Sequence, residues 1–336
     1  MIPKSSWKRF KKESAGDAIR IKDVKFPPEY SLQKHGITQS LLMSFMKCRR
    51  EFLLKVNCWS LTAKRTTFAN GSITHDILDK VYSYYMKNKK IPSTKIVKDW
   101  CNSYDKDHPD WLPEDKQDLA PLYKIIAFTI CTEYIRFYRK KDFIPNRITG
   151  AEVEFCVVWK GFKLRGKRDL RFQMQPGVNW QMETKTMARI EPDAIREMLT
   201  FNFQNLFYVH CEEVEFGEPV HGVLYNVIRN PGTKLHAGES IIQYANRLRR
   251  EIRKNQSYYF LRFQQPYTDE DKKQFRKELL YKLREVDALL KHRLYPWKNE
   301  KNCVSRFKCS YLPACSCGKL IGYGQYKRLM SELEEQ

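Results

Sequence analysis

The sequence predicts an α/β fold in which one large domain carries extra helices at its ends. Its hydrophobic pattern runs in the order helices, three strands, helix, strand and helices, as expected for a sheet covered by helices. A chain of 336 residues can also bury a substantial core without cross-links. The sequence contains neither an internal repeat nor a low-complexity linker, so a single α/β domain with helical flanks is the simplest organisation.

Each element has a local signal in the sequence. Apolar residues at helical spacing predict three helices before the strands, over 40–52, 68–87 and 119–140. Alternating residues predict strands over 148–159, 162–172 and 179–185, the first two forming a hairpin around Lys160 and Gly161. Pro192 suits the first turn of a helix that reaches about residue 214. The remaining elements are a strand over 219–228 and helices over 238–254 and 269–292.

The charge of the chain predicts a polyanionic partner. The sequence has 61 Lys and Arg against 39 Asp and Glu, which gives a formal net charge of +22. The basic residues recur in runs along the chain, at 8–12, 136–141, 160–171, 247–254 and 272–277. The excess therefore belongs to the folded surface, because a disordered tail would concentrate its charge in one block.

The composition also indicates the compartment. The N-terminus is basic but lacks the apolar run of a secretory signal, and no stretch approaches the roughly 18 apolar residues of a membrane span. We therefore expect a cytoplasmic protein without a membrane partner. Ten cysteines in a reducing compartment favour metal ligands or core thiols over disulfides.

Asp169, Glu183 and Lys185 form the most informative polar pattern. Glu183 and Lys185 are two apart on a predicted strand, so both side chains point to one face, towards a neighbouring strand that carries Asp169. Carboxylate oxygens suit Mg²⁺ or Mn²⁺, and such an ion can activate water for attack on a phosphodiester. By itself this spacing is also common on solvated strands.

Basic residues surround Asp169 on its own strand. Lys163, Arg165 and Lys167 alternate with apolar residues and share the face of Asp169. One interpretation is a solvated outer face of the sheet. The other is that these cations hold nucleic-acid phosphates near the metal bound by Asp169.

A cysteine-rich segment near the C-terminus predicts a second metal centre. Cys303, Cys309 and Cys315 are separated by five residues each, and Cys317 follows. Thiolates at this density bind zinc or an iron-sulfur cluster. Zinc ribbons usually contain two C-x-x-C pairs, which do not occur here, so a cluster with a further ligand from elsewhere is favoured.

Six other cysteines are candidates for that further ligand: Cys48, Cys58, Cys101, Cys131, Cys156 and Cys211. Of these, Cys131, Cys156 and Cys211 lie in apolar or regular segments and are expected in the core. Cys48 is followed by Arg49 and Arg50, and basic neighbours stabilise a thiolate.

These motifs, in this order, resemble the PD-(D/E)XK nucleases of the RecB type. The matching features are S-F-x-x-C ending at Cys48, G-x-x-x-H ending at His75, G-x-x-D ending at Asp169, E-x-K at Glu183 to Lys185, Q-x-x-x-Y at Gln204 to Tyr208, and the cysteine-rich tail. The resemblance is strongest to the branch with a cysteine-ligated [4Fe-4S] cluster, which includes helicase-nucleases, CRISPR-associated exonucleases and phage-encoded proteins.

The resemblance implies a fold and a set of roles. The fold would be a restriction-endonuclease-like core, with a central mixed sheet flanked by helices and with terminal segments joined by an iron-sulfur cluster. His75, Asp169 and Glu183 would bind Mg²⁺ or Mn²⁺, with Lys185 as the catalytic lysine. Gln204 and Tyr208 would contact DNA or position the lysine.

The cluster ligands implied by the resemblance are Cys48, Cys303, Cys309 and Cys315. Better-studied relatives have C-x-x-C before the final cysteine, so Cys317 could replace one of the four. An acid upstream of Asp169, either Glu152 or Glu154, is a further candidate metal ligand, and the sequence does not distinguish between the two.

The resemblance also divides the chain into four regions. A basic N-terminal segment (1–35) precedes a helical region (36–147), the nuclease core (148–294) and the cysteine-rich segment (295–336). The implied function is a Mg²⁺- or Mn²⁺-dependent DNA exonuclease that acts on single strands or ends in recombination, repair or processing, encoded by a phage or mobile element, with recombination or CRISPR-type protein partners. The alternative is a non-catalytic nucleic-acid-binding iron-sulfur or zinc protein with a nuclease-like fold.

Overall fold

The helices and strands form two compact units. The computed structural model describes residues 19–61, 69–109, 111–304 and 308–325. Its helices, α1 to α13 within these residues, are Gln39–Lys47, Arg49–Val56, Ala69–Asn88, Thr94–Asn102, Tyr104–Asp107, Ala120–Asp142, Pro192–Thr200, Phe203–Phe216, Ile241–Lys254, Gln256–Tyr259, Asp269–Lys291, Glu300–Cys303 and Leu312–Cys317. Its strands, β1 to β8, are Ile37–Thr38, Trp59–Leu61, Ile148–Trp159, Phe162–Gln175, Val178–Met187, Val220–Arg229, Phe260–Pro266 and Tyr323–Gln325.

The two units are interleaved in sequence. The core unit comprises the described residues of 69–154 and 167–272. The terminal unit comprises the described residues up to 61, the segment 155–166, and the described residues from 273 onwards. The basic run at 8–12 and the predicted helix start at 68 lie outside the described residues.

A mixed sheet forms the centre of the core unit. β4 and β5 are antiparallel, β5 and β6 are parallel, and β6 and β7 are antiparallel, while β3 also pairs with β4. The register places Met182 opposite Leu170 and Glu183 opposite Tyr225. Consecutive residues of a strand face opposite sides of the sheet, so each strand contributes to two different layers.

Helices cover both faces of this sheet in the core unit. On one face, buried residues of α3, α6 and α9 pack against Met182 and Leu224. On the other face, Ile195 and Leu199 of α7 pack against Tyr225. The predicted mixed sheet flanked by helices is therefore confirmed.

The terminal unit brings both ends of the chain together. Its small core contains Ile21, Leu54 and Trp59 from the first part of the chain and Tyr311 and Leu320 from the last part. β2 pairs with β8 in antiparallel fashion, and β1 pairs with the beginning of β4 in parallel. Segments that are far apart in sequence thus form one hydrophobic cluster.

Two predicted helices are each divided in the structure. The helix predicted over 40–52 breaks at Cys48, whose extended backbone (φ −163°) separates α1 from α2. The helix predicted over 192–214 becomes α7 and α8 because Asn202 adopts an extended conformation and caps α8 by accepting the Asn205 N–H. Among the described helices, none has the length and apolar character that a bilayer crossing requires.

Candidate active site

The two carboxylates of the predicted metal site lie where β4 and β5 diverge. Their antiparallel pairing runs up to Leu170 and Met182, immediately before Asp169 and Glu183. Beyond this point the backbone N–H of Thr184 donates to Asp169 Oδ2 at 2.8 Å. The aspartate thus takes the place of a backbone acceptor, which fixes its carboxylate at the fork between the strands.

His75 reaches the same carboxylate from α3. Its Nε2 lies 3.2 Å from Asp169 Oδ2, and its Nδ1 lies 2.9 Å from Asp79 Oδ2, one helical turn further along α3. The two ring nitrogens therefore each face a carboxylate. Aspartate at the fourth position after histidine falls on the same face of a helix, which explains this contact.

A glycine brings the start of α3 close to the sheet. A Cβ atom on Gly71 would lie 2.4 Å from Thr186 Oγ1 of β5, closer than any side chain allows. A side chain at this position would require Thr186 to rotate or α3 to move away from β5, so glycine favours this close approach. His75 is one turn beyond Gly71, so the G-x-x-x-H spacing has a direct structural cause.

Glu183 is the most enclosed of the acids. It is 5 % exposed, and its Oε1 accepts a hydrogen bond of 2.7 Å from Gln204 Nε2 on α8. The Lys185 ammonium donates to the same oxygen. The side chain of Lys185 is 35 % exposed, so its ammonium links the buried acid to the solvent-accessible side of the site.

Burial and mutual repulsion set the protonation of this group. Burial, followed by the charge of Asp169, raises the pKa of Glu183 to about 7, although Lys185 opposes this. Burial would lower the pKa of His75, but its hydrogen bonds to Asp169 and Asp79 raise it well above the usual value. Burial also opposes the charged form of Lys185, yet Glu183 raises its pKa. A cation bound here would favour the ionised carboxylates.

Tyr208 also faces the acids. Burial is the main cause that raises the pKa of its hydroxyl, followed by the charges of Glu183 and Asp169, and a hydrogen bond from Gln204 opposes the shift. Gln204 and Tyr208 are four residues apart on α8 and therefore share one face. The structure thus brings both residues of this motif to the candidate site.

Of the two upstream glutamates, Glu152 is the one that lies close to His75. Its carboxylate lies with ligand atoms of His75 and Asp79 in a group whose members are all within 4.8 Å of one another. Glu152 adopts a left-handed backbone conformation (φ 55°) within β3, which an ordinary strand residue does not. Glu154, in contrast, is exposed.

The three basic residues of β4 that were predicted to share the face of Asp169 lie in different surroundings, one buried and two partly exposed. Arg165 is 1 % exposed and donates to the His35 carbonyl oxygen at 3.0 Å, so it lies in the interior of the terminal unit. Lys167 forms an ion pair with Glu152. Lys163 remains partly exposed and donates to the Lys34 carbonyl oxygen at 2.8 Å.

Three of the four predicted cluster cysteines lie near one another in the terminal unit. Cys309 and Cys315 pack at its hydrophobic core. Burial raises the pKa of both thiols, and electrostatic repulsion from Cys48 adds to each shift. All ten cysteines lie in the described residues, and none forms a disulfide.

Cys303 is tied to this group through the backbone. Its carbonyl oxygen accepts the Cys309 N–H at 3.2 Å, while its thiol lies 3.4 Å from the Asn299 carbonyl oxygen. Cys317 is exposed at the end of α13. Cys131 and Cys211 are buried as predicted, but the prediction for Cys156 is wrong because Phe155 and Val157 occupy the inward positions of β3.

Two contributors to the site were not predicted. Asp79 has a sequence signal, since a carboxylate at the fourth position after a helical histidine can reach the imidazole. The Thr184 N–H has no such signal, because its availability depends on where the β4–β5 ladder ends.

Comparison with known proteins identifies the family. The sequence matches the model of the PD-(D/E)XK nuclease superfamily over residues 37–316, and the chain belongs to this superfamily. Comparison with curated proteins gives no match. Among solved structures, a protein from Eubacterium rectale described as a candidate exonuclease is similar, with a TM-score of 0.48 and 12 % identity over 81 % of this chain and 85 % of that chain. The superfamily indicated by the motifs is thus confirmed by the family match.

Proposed function

We propose that this protein is a divalent-metal-dependent deoxyribonuclease that hydrolyses phosphodiester bonds. The observation that carries the proposal is the convergence of Asp169, Glu183, Lys185 and His75, from three elements of the core unit, around one carboxylate pair. Membership of a nuclease superfamily supports the same reaction class.

The donor atoms of the site fit a hard or borderline divalent cation. Asp169 and Glu183 offer carboxylate oxygens, and His75 offers a nitrogen that Mn²⁺ accepts more readily than Mg²⁺ does. When bound, Mg²⁺ or Mn²⁺ would acidify a water molecule and polarise a phosphoryl oxygen. Glu152, close to His75, is a further candidate ligand.

The remaining residues orient these groups. Gln204 and Lys185 both donate to Glu183 Oε1, which leaves the other oxygen of this carboxylate for a ligand. The partly exposed Lys185 ammonium would orient the attacking water and stabilise the negative charge that develops on the phosphate. Tyr208 and Gln204 would hold the substrate or the lysine in place.

DNA, as single strands or ends, is the substrate we propose. The support is the net charge of +22 and the resemblance of the motifs to RecB-type exonucleases. The same resemblance supports a role in DNA recombination, repair or processing, an origin in a phage or mobile element, and recombination or CRISPR-type protein partners.

A [4Fe-4S] cluster held by Cys48, Cys303, Cys309 and Cys315 is part of the proposal. Cys48 lies at the break between α1 and α2, and its sulfur accepts the Asn299 N–H at 3.4 Å, so it lies close to the cysteine-rich segment. Soft thiolate ligands suit iron-sulfur clusters and zinc. The cluster would join the two ends of the chain within the terminal unit.

The test is degradation of end-labelled single- and double-stranded DNA with Mg²⁺ or Mn²⁺. Asp169→Asn and Lys185→Met keep the side-chain size, and each is expected to lower the rate by on the order of 100-fold or more. Lys98→Met, which changes an exposed lysine of α4, is the matched control and should cleave like the wild type. Thermal unfolding checks that each variant is folded.

The outcomes separate the two functions considered for this chain. If Asp169→Asn and Lys185→Met degrade DNA as fast as the wild type, this site is not catalytic. If the wild-type protein binds DNA but cleaves it with neither metal, the non-catalytic binding protein replaces the nuclease. Product lengths from labelled ends distinguish exonuclease from endonuclease cleavage.

A further inference from the structure

A group of arginines surrounds one buried carboxylate away from the candidate active site. Glu133 of α6 is only 2 % exposed. It accepts two hydrogen bonds from Arg253 of α9, at 2.8 and 2.9 Å, and Arg249 Nε lies 3.5 Å from it. Arg136, one turn along α6, lies at 3.5 Å as well. One acid is thus hydrogen-bonded to Arg253 and lies within ion-pair distance of two further guanidinium groups.

The charge of this group is far from balanced. Glu133 offers one negative charge to three arginines, and Arg250 adjoins them on α9. Among the described residues, no carboxylate lies within ion-pair distance of Arg250, which is exposed. The one acid of α9, Glu251, accepts hydrogen bonds from Thr233 and Tyr259, so it does not serve as the ion-pair partner of Arg250.

The arginines line an open groove, which we call the arginine groove. Its volume is about 880 Å³, and its lining includes one acid, Glu239, and four arginines, Arg247, Arg249, Arg250 and Arg253. Arg247 is tied to Glu239 by a hydrogen bond of 2.8 Å from its Nε. The groove is therefore a shaped, cationic surface in which several guanidinium groups are already oriented.

The groove lies on the same layer of helices that carries His75 of the candidate active site. α9 packs against α6, and α6 packs against α3, which carries His75. All three helices belong to the core unit and cover the same face of its sheet. The groove and His75 thus lie on helices of one layer within the core unit.

We propose that the arginine groove binds the phosphate backbone of single-stranded nucleic acid outside the catalytic site, an inference that rests on the proposed function. Arg253 follows Arg250 by three residues and Arg249 by four, so one side of α9 presents several cations along its length. Such a row suits a chain of phosphates better than a single phosphate ion. Guanidinium groups bind phosphate oxygens through paired hydrogen bonds. Arg253 donates its Nε and Nη2 to Glu133, so the exposed Arg250 is the residue best placed for a paired contact with phosphate.

The test measures binding without cleavage. Affinity for a fluorescently labelled oligodeoxythymidine is measured in the Asp169→Asn background with a chelator present, over a range of salt concentrations. The slope of log affinity against log salt is negative, and each lost phosphate contact makes it shallower by about 0.7 for a single strand. Arg250→Ala should make the slope shallower by about this amount and weaken binding severalfold. Arg249→Ala combined with it should make the slope shallower still.

Two matched variants make the result specific. Arg250→Lys keeps the charge and should keep the slope. Lys98→Ala removes one positive charge from α4, which does not line the groove, and should leave both slope and affinity unchanged. Thermal unfolding of each variant excludes a folding defect as the cause of weaker binding.

The proposal is overturned if Arg250→Ala and the double variant bind with the same slope and affinity as Lys98→Ala. It is also overturned if the parent protein shows no salt-dependent binding of the oligonucleotide. Neither result bears on catalysis, because cleavage by the wild-type chain is measured separately. A nuclease without a functional arginine groove would cleave DNA and still give equal slopes.

Discussion

His75 lies between the carboxylates of Asp79 and Asp169, and these contacts influence the protonation of its imidazole. Burial would lower the pKa of the imidazole, but its hydrogen bonds to Asp169 and Asp79 raise it well above the usual value, which favours a ring protonated on both nitrogens when no cation is bound. A ligand role requires the Nε2 proton to leave while Asp79 keeps the proton on Nδ1. Asp79 would therefore fix the tautomer that presents Nε2 to a metal, as partners of metal-bound histidines commonly do.

This arrangement predicts that Asp79→Asn weakens metal binding by about 10- to 100-fold. The amide keeps the size of the side chain but cannot accept the Nδ1 proton with the same strength. Calorimetric titration with Mn²⁺ measures the affinity directly, without reference to activity. Asp76→Asn is the control on the same helix, because Asp76 accepts from the Tyr104 hydroxyl instead. Equal Mn²⁺ affinity in the two variants would contradict the positioning role.

The sequence predicted the positions of some site residues but not the surroundings of others. The motif residues His75, Asp169, Glu183 and Gln204 lie together in the structure, and the spacing within each motif follows helix or strand geometry. The surroundings of β4 could not be predicted in this way. Whether a strand arginine is solvated or paired depends on partners that the fold brings from distant segments, as with Arg171 and Glu212.

At the level of elements, the packing of the sheet depends on a glycine where neighbouring strands approach closely. Gly222 lies in β6, between β5 and β7. A Cβ atom there would lie 2.3 Å from the Gln265 carbonyl oxygen and 2.8 Å from the Trp180 ring. Backbone and a packed indole cannot move aside as a flexible side chain can, so any substitution at this position must displace a strand.

We therefore expect Gly222→Ala to lower the free energy of unfolding by about 2–3 kcal/mol, the upper part of the usual range for overpacking. Gly232→Ala is the matched control, since its Cβ would have no neighbour within 4 Å and its backbone is not left-handed. Chemical denaturation of both variants measures the difference. Similar stabilities would show that β6 and β7 separate more easily than the structure indicates.

The extent of elements was easier to predict than their interruptions. Strands β3 to β6 follow alternating patterns that burial on one or both faces imposes, and these were predicted to within a few residues. The division of the helix predicted over 192–214 depends on one capping hydrogen bond from the Asn205 N–H to Asn202. A local cap of this kind competes with a continuous apolar pattern, and the pattern alone does not reveal which one wins.

For the molecule as a whole, the surface is more basic than the composition indicates. Among the described residues, six acids are buried, namely Glu51, Asp79, Glu133, Asp142, Glu183 and Glu212, whereas the buried bases are Arg165, Arg168 and Lys272. Several of these acids hold arginines in place, as Asp142 holds Arg262. The fold therefore places acids inside, where they orient cations, and leaves the positive excess outside for an anionic partner.

The proposed cysteine centre would stabilise the whole chain, because its ligands come from both ends of the sequence. In the ideal-chain model, a link that closes so long a loop restrains the unfolded chain by on the order of 5 kcal/mol. Loss of a ligand should therefore affect stability as well as colour. Zinc would give the same stabilisation but no visible absorbance, because Zn²⁺ is d¹⁰.

We predict that anaerobically purified protein is brown and contains iron and sulfide, and that Cys309→Ser loses the colour and unfolds at a lower temperature. Cys156→Ser, at an exposed position of β3 outside the proposed ligand set, should keep both properties. Cys303→Ser and Cys317→Ser, compared in the same way, identify which of the two completes the ligand set, since only the ligand variant should bleach. Colourless wild-type protein with one bound zinc would replace the cluster with a zinc site at the same cysteines.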